Sequence, residues 1–146
     1  MVGNLLPTSH NVDVWARRAY PTIFITLDKR KKMIQIIHGS IFDTKCDLLI
    51  VPCDSGGGVT RSVFANLNEH GLPTRVGRIP YGKVYFRESK YEFASTIGYA
   101  ASVNVETDTS EAEAISQIAH EIVRYAIDNQ IRIINIPLLG TGAGGM

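Results

Sequence analysis

A chain of 146 residues with 45% hydrophobic residues and a formal charge of +1 has room for one cored domain and is too apolar to be disordered. Its 15 Lys and Arg against 14 Asp and Glu exclude a strongly basic nucleic-acid binder, and no apolar run reaches the ~18–20 residues of a membrane span. Two cysteines, Cys46 and Cys53, are too few for a disulfide framework or a four-cysteine zinc site, and the first ten residues lack the basic and apolar regions of a secretory signal, so a reducing, cytoplasmic setting is expected.

In chain order, residues 1–11 read as an irregular arm, and residues 12–19 as one or two helical turns carrying Trp15. Pro21 opens a β-branched and aromatic run at 22–27, a predicted strand. The basic run Lys29-Arg30-Lys31-Lys32 reads as a solvated turn and leads into a second strand at 33–38, ended by Gly39. Residues 47–53 are almost continuously apolar, the pattern of a central strand buried on both faces. A helix is expected over 59–69, with Val59, Val63, Phe64 and Leu67 on its packed side. Two shorter strands come next, at 83–86 and 92–97. The strongest helical pattern is 111–129, where Ile115, Ile118, Ala119, Ile122, Ala126 and Ile127 keep helical spacing and Ser110 with Glu113 matches a capping box. A last apolar strand covers 131–139. Strands alternating with helices give an α/β fold with a mixed, mostly parallel sheet flanked by helices in three layers.

Most of the 13 glycines fall in two clusters, Gly56-Gly57-Gly58 and Gly140-Thr141-Gly142-Ala143-Gly144-Gly145, each directly after a buried strand. Ligands of open α/β sheets sit at such carboxyl ends, and glycine turns let backbone N–H groups approach an anion closely. Two such turns on neighbouring strands would grip a diphosphate from both sides, whereas either alone is equally well a tight turn needing positive φ. The second cluster also fits G-x-G-x-x-G, but no further strand comes after it with an acidic residue, and no Gly-Lys-Ser/Thr completes a Walker pattern.

These segments resemble the macro domains, a family that binds ADP-ribose and related NAD-derived nucleotides. Gly39-Ser40-Ile41-Phe42-Asp43-Thr44-Lys45-Cys46-Asp47-Leu48-Leu49-Ile50-Val51 is similar to the family's Gly-Asp-Ile-Thr stretch, spacer and Asp-Ala-Ile-Val strand. Gly56-Gly57-Gly58-Val59 resembles its first phosphate loop, and the run from Ile136 through Gly145 resembles its second. The resemblance implies a macro-like domain over 33–146, with 1–32 as an N-terminal arm and edge strand. It implies that Ser40 and Ile41 meet the adenine. It implies that Gly56, Gly57, Gly58 and Val59 line one side of the diphosphate, and that Gly140, Thr141, Gly142, Ala143 and Gly144 wrap the other side and the distal ribose. Family members usually continue with a helix after the second loop, so the chain is expected to be a truncated or partial domain, completed by more polypeptide or by a dimer partner.

The departures from the family pattern bear on activity. Ser40 stands where binders carry Asp, and a hydroxyl accepts without charge. Val51-Pro52-Cys53-Asp54 replaces the asparagine motif of the ADP-ribosyl hydrolases, leaving Asp54 as the one evident base, and Gly144 replaces an aromatic residue. Asp54 is read either as a ribose acceptor or as a helix cap. Binding of ADP-ribose, as a free nucleotide or on an ADP-ribosylated protein, is therefore the expected function. A hydrolase and a ligand-free interaction module are the alternatives. No cofactor, metal or nucleic-acid partner is expected. Cys53 reads as a small buried residue rather than a nucleophile, His120 as solvated, and His38 and His70 as lacking a ligand-spaced partner.

Overall fold

The structure is a computed structural model, and it describes residues 21–27 and 32–140. Its elements in chain order are β1 (Pro21–Leu27), β2 (Lys32–His38), β3 (Cys46–Asp54), α1 (Arg61–Glu69), β4 (Val84–Glu88), β5 (Ala94–Val103), α2 (Ala112–Asp128) and β6 (Ile133–Pro137). One six-stranded sheet has the order β2-β1-β6-β3-β5-β4. β3 pairs in parallel with both β6 and β5, and the outer pairings are antiparallel. The sheet is mixed, as expected, but only two of its five strand pairings are parallel, those joining β6, β3 and β5. The strand expected at an edge is instead interior. β1 lies between β2 and β6, and β2 takes the edge, because the 22–27 run bonds on both sides.

The layers arise from the alternation along β3. Leu49, Val51 and Cys53 point to one face, where they pack with Ile97, Tyr99, Ala101 and Leu67 of α1. Leu48 and Ile50 point to the other, against Ile118, Ile122 and Ala126 of α2. Helices on opposite faces of a buried strand make the expected three layers. Gly98 in β5 is required by this packing, since a Cβ there would meet Ile50 Cδ1 at 2.9 Å and the Phe86 ring at 3.1 Å.

Two predicted details change. Phe64 is 49% exposed, and Leu67 carries the packing of α1 with Val59 and Val63 at its rim. The capping box at 110–113 does not form. The Ser110 hydroxyl donates to the Ser102 carbonyl, and the first N–H before α2, that of Glu111, donates to the Tyr81 hydroxyl at 2.7 Å. The residues of the Lys29–Lys31 turn and the 12–19 segment lie outside the described residues.

Polar groups tie the sheet's middle together. Asp47 Oδ2 accepts from the N–H groups of Arg132 at 2.9 Å and Ile133 at 2.8 Å, which fixes the start of β6 beside β3. Asn135, fully buried in β6, donates through Nδ2 to the carbonyls of Ile41 at 3.2 Å and Thr44 at 2.9 Å. That side chain pins the β2–β3 connection across the α1 face. Removing it leaves one buried and one half-buried carbonyl without their donor. Asn135→Ala should therefore destabilise the protein by about 1–3 kcal/mol in chemical denaturation, with Asn129→Ala on the exposed end of α2 as the near-neutral control.

Candidate functional site

The strand directions decide which loops share an edge. β2, β3, β5 and β6 all run the same way, so 39–45, the turn after Asp54, and Gly140 leave the sheet at one edge. The chain leaves β3 towards β5 on the side of α1, and crosses back from β5 to β6 through α2 on the opposite face. The carboxyl ends of the neighbouring strands β3 and β6 therefore lie side by side at that edge. This is where open α/β sheets bind ligands.

Asp54 builds the turn at that edge. Its Oδ1 accepts the N–H groups of Gly56 at 2.8 Å and Gly58 at 2.9 Å. Its carbonyl accepts from the Gly57 N–H at 2.9 Å, and its own N–H donates to the Gly58 carbonyl at 2.8 Å. All three glycine N–H groups are thus bonded within the turn. Asp54 does not cap α1, which begins at Arg61 after Thr60 without a side-chain cap, and the turn takes its glycine N–H groups on Oδ1, not on Oδ2. Gly57 has φ +85, and a Cβ on it would stand 2.1 Å from the Gly77 carbonyl oxygen. That glycine is needed by the neighbouring chain segment. The segment is held in place by the Ile79 N–H, which donates to the Ser55 carbonyl at 3.0 Å, and by the Tyr99 hydroxyl, which donates to the Pro73 carbonyl at 2.8 Å.

Beside the Asp54 carboxylate, Gly56 and Gly58 also have a cation within reach that no sequence motif singles out. Arg75 Nη2 lies 3.9 Å from the Cβ position of Gly56, and Nη1 lies 3.5 Å from that of Gly58. The one signal in the sequence is the segment Pro73-Thr74-Arg75-Val76-Gly77-Arg78, which fits neither helix nor strand and carries a glycine at φ +83. Arg78 lines a depression of about 450 Å³ beside the turn, with Ser55, Tyr81, Asn104 and Glu106. A larger apolar depression of about 680 Å³ runs along the outer face of α2 past Val123 and Ile127. It belongs to the half of that helix at the opposite edge of the sheet.

On the other flank, the Ser40 hydroxyl accepts from the Phe42 N–H at 3.1 Å, and the Ser40 N–H donates to Asp43 Oδ2 at 3.1 Å. The hydroxyl keeps its own O–H to donate. Ile41 is buried, with its carbonyl held by Asn135. Gly140 is buried at φ +80, and Thr141, Gly142, Ala143 and Gly144 lie outside the described residues. The structure brings Ser40, Asp54, Gly56, Gly57, Gly58, Val59 and Gly140 to one edge of the sheet, with Ile41 close by.

The buried cysteines are chemically quiet. Burial pushes the Cys53 thiol from 9.0 up to about 12, with the Asp54 charge adding to the rise. Burial likewise lifts Cys46 to about 12, against the lowering effect of a hydrogen bond to the Asn135 backbone. His120 bonds the Ser116 carbonyl on the exposed side of α2. Among the described residues no cluster of His, Cys, Asp and Glu has metal-site geometry, and no helix is long and apolar enough to cross a membrane.

Comparison with solved structures identifies the architecture. The macrodomain of Mycobacterium tuberculosis DarG superposes with a TM-score of 0.62 at 14% identity, over 74% of this chain and 77% of that one. The chain has the macrodomain fold. A second match is Thermosipho africanus DarTG in complex with ADP-ribose, with a TM-score of 0.56 at 19% identity, over 84% of this chain and 36% of that one. No protein-family model matches the sequence, and no curated protein does. The macrodomain frame is thus retained at an identity where sequence comparison finds no family.

Two outcomes are expected for this edge. Gly57→Ala forces a side chain into a left-handed backbone and against Gly77, and should lower the melting temperature while raising hydrogen exchange at the Ile79 amide. The thiols set the behaviour at high pH. Both are bound to protons more tightly in the folded state than in the unfolded one, so their contribution is complete below pH 9 and is lost as pH rises from 9 towards 12. Alkylation of Cys46 and Cys53 at about pH 8, below the ordinary thiol range, should be slow in native protein and fast in denaturant when read by mass spectrometry.

Proposed function

We propose that this macrodomain binds ADP-ribose or an ADP-ribosyl group along the carboxyl edge between β3 and β6. The observation that carries the reading is the meeting of Ser40, the Asp54 turn and Gly140 at one edge, beside the parallel pair β3–β6, in a fold shared with a structure holding ADP-ribose. In this reading Ser40 and Ile41 take the base end. The turn of Gly56, Gly57 and Gly58 with Val59 takes one side of the diphosphate. Gly140, Thr141, Gly142, Ala143 and Gly144 take the other side and the distal ribose.

The turn contributes mainly shape. Its glycine N–H groups are bonded to Asp54, so the donors offered to an anion come from Val59 and the start of α1. Among the described residues the Val59 N–H makes no hydrogen bond, and the first N–H groups of α1 have no partner within their helix. Such a helix start favours an anion. Asp54 is a builder of the turn in this account and has no catalytic role, so the activity proposed is binding.

Titration calorimetry with ADP-ribose tests the reading, supported by thermal melting. A ligand that binds only the folded state stabilises it by about 2.7 kcal/mol at a concentration one hundred times its Kd. For a domain of this size that is a rise of several degrees. Heat of binding together with a raised melting temperature is the expected result. Neither signal at millimolar ADP-ribose would end the proposal.

A further inference from the structure

We propose that Arg75 is the phosphate-binding side chain of this site, supplying the positive charge that the glycine turn does not. The inference rests on the ADP-ribose reading and deepens it.

Three observations lead there. First, the turn's glycine N–H groups are committed to Asp54 Oδ1 and to the Asp54 carbonyl, so they are not presented to a ligand. A diphosphate approaching them would meet a carboxylate already in place, and needs a nearby cation to offset it. Second, the guanidinium of Arg75 lies over the side-chain-free faces of Gly56 and Gly58, with Nη2 and Nη1 at 3.9 and 3.5 Å from the two Cβ positions. A Cβ at 56 or 58 would crowd the Asp54 carboxylate first, at 3.1 and 2.8 Å, and would lie in ordinary contact with the guanidinium. Third, Arg75 is exposed and makes no ion pair with any carboxylate among the described residues, although Asp54 Oδ2 stands 2.8 Å from the same Gly58 Cβ position. A planar guanidinium with free donors, held beside a glycine turn, is suited to bidentate contact with phosphate oxygens.

The placement is imposed by the backbone. Gly57 and Gly77 interlock, with no room for a Cβ on Gly57, and the Ile79 N–H is bonded to Ser55. Pro73 is held by the Tyr99 hydroxyl from β5. Arg75 is therefore carried on a short segment fixed on both sides of it. The neighbouring Arg78 opens into the depression next to Ser55, away from the glycine faces that Arg75 covers.

The test is calorimetry on the whole chain with adenosine, AMP, ADP and ADP-ribose, using wild type, Arg75→Ala, Arg75→Lys and, as control, Arg78→Ala. The account predicts that Arg75→Ala weakens ADP and ADP-ribose by about 10–100-fold while leaving adenosine nearly unchanged. Arg75→Lys should recover part of the loss, since a point charge replaces the fork. Arg78→Ala should have a much smaller effect. The loss in Arg75→Ala should also flatten the salt dependence of ADP-ribose affinity. If Arg75 instead only braces the turn, its removal would lower the ligand-free melting temperature and weaken all four ligands alike, which would overturn the assignment. Unchanged ADP-ribose affinity in Arg75→Ala would overturn it too. Wild-type protein that binds none of the four would refute the ADP-ribose reading itself, a result distinct from either.

Discussion

A strand that is apolar from Leu48 through Val51 must be covered on both faces and hydrogen-bonded on both edges, and the rest of the molecule is arranged around meeting that requirement for β3. Its two faces call for two helical layers, and α1 and α2 supply them. Its two edges call for parallel neighbours, and β6 and β5 supply them. Once β6 and β5 flank β3 in parallel, the carboxyl ends of all three strands share one edge as a consequence of topology. The polar residues inside the sheet serve the same end. Asp47 fixes where β6 starts, and Asn135 fixes the connection that carries Ser40 and Ile41 over the α1 face.

Where β3 ends, the chain has to reverse away from the sheet without leaving buried N–H groups unpaired. Asp54 does this with one carboxylate oxygen and its own backbone, and the cost is that the glycines of the turn no longer offer donors outward. Two features compensate if the edge is to hold an anion. One is Val59 with the start of α1, whose N–H groups are not used by the turn. The other is a guanidinium placed by the 73–79 segment over two glycine faces. The glycine cluster therefore has a double explanation. Gly57 is glycine because Gly77 occupies the space beside it, while Gly56 and Gly58 leave room for the Asp54 carboxylate, with Arg75 in contact range beyond it.

Much of the fold is legible in the sequence because its determinants are local. The run at 47–53 announces a buried strand, and the spacing from Ile115 to Ala126 announces α2. The neighbourhood of β3 and β6, and so the shared edge, comes from the resemblance and the alternation of elements together. The features hidden from a sequence reading depend on partners distant in the chain. The position of β1 inside the sheet is set by pairing with residues 133–137, more than a hundred positions away. Ser110 forgoes its capping role for the Ser102 carbonyl. Asp54 reads as a ribose acceptor or a helix cap, and its part in building the turn shows only with its two glycine donors. Arg75 sits in a segment with no periodicity, and only the interlock of Gly57 with Gly77 reveals where it stands. The polar break at Asn135 within an apolar strand is visible, but its role needs the two carbonyls it serves.

The proposed nucleotide site is one edge of the sheet, between β3 and β6. Amide chemical-shift mapping during titration with ADP-ribose tests it most directly. The account predicts the largest changes at Ser40, Ile41, Gly56, Gly58, Val59 and Arg61, with the amides of 119–128 at the opposite end of α2 unmoved. Changes centred on Val123 and Ile127, with the amides around Asp54 silent, would contradict it.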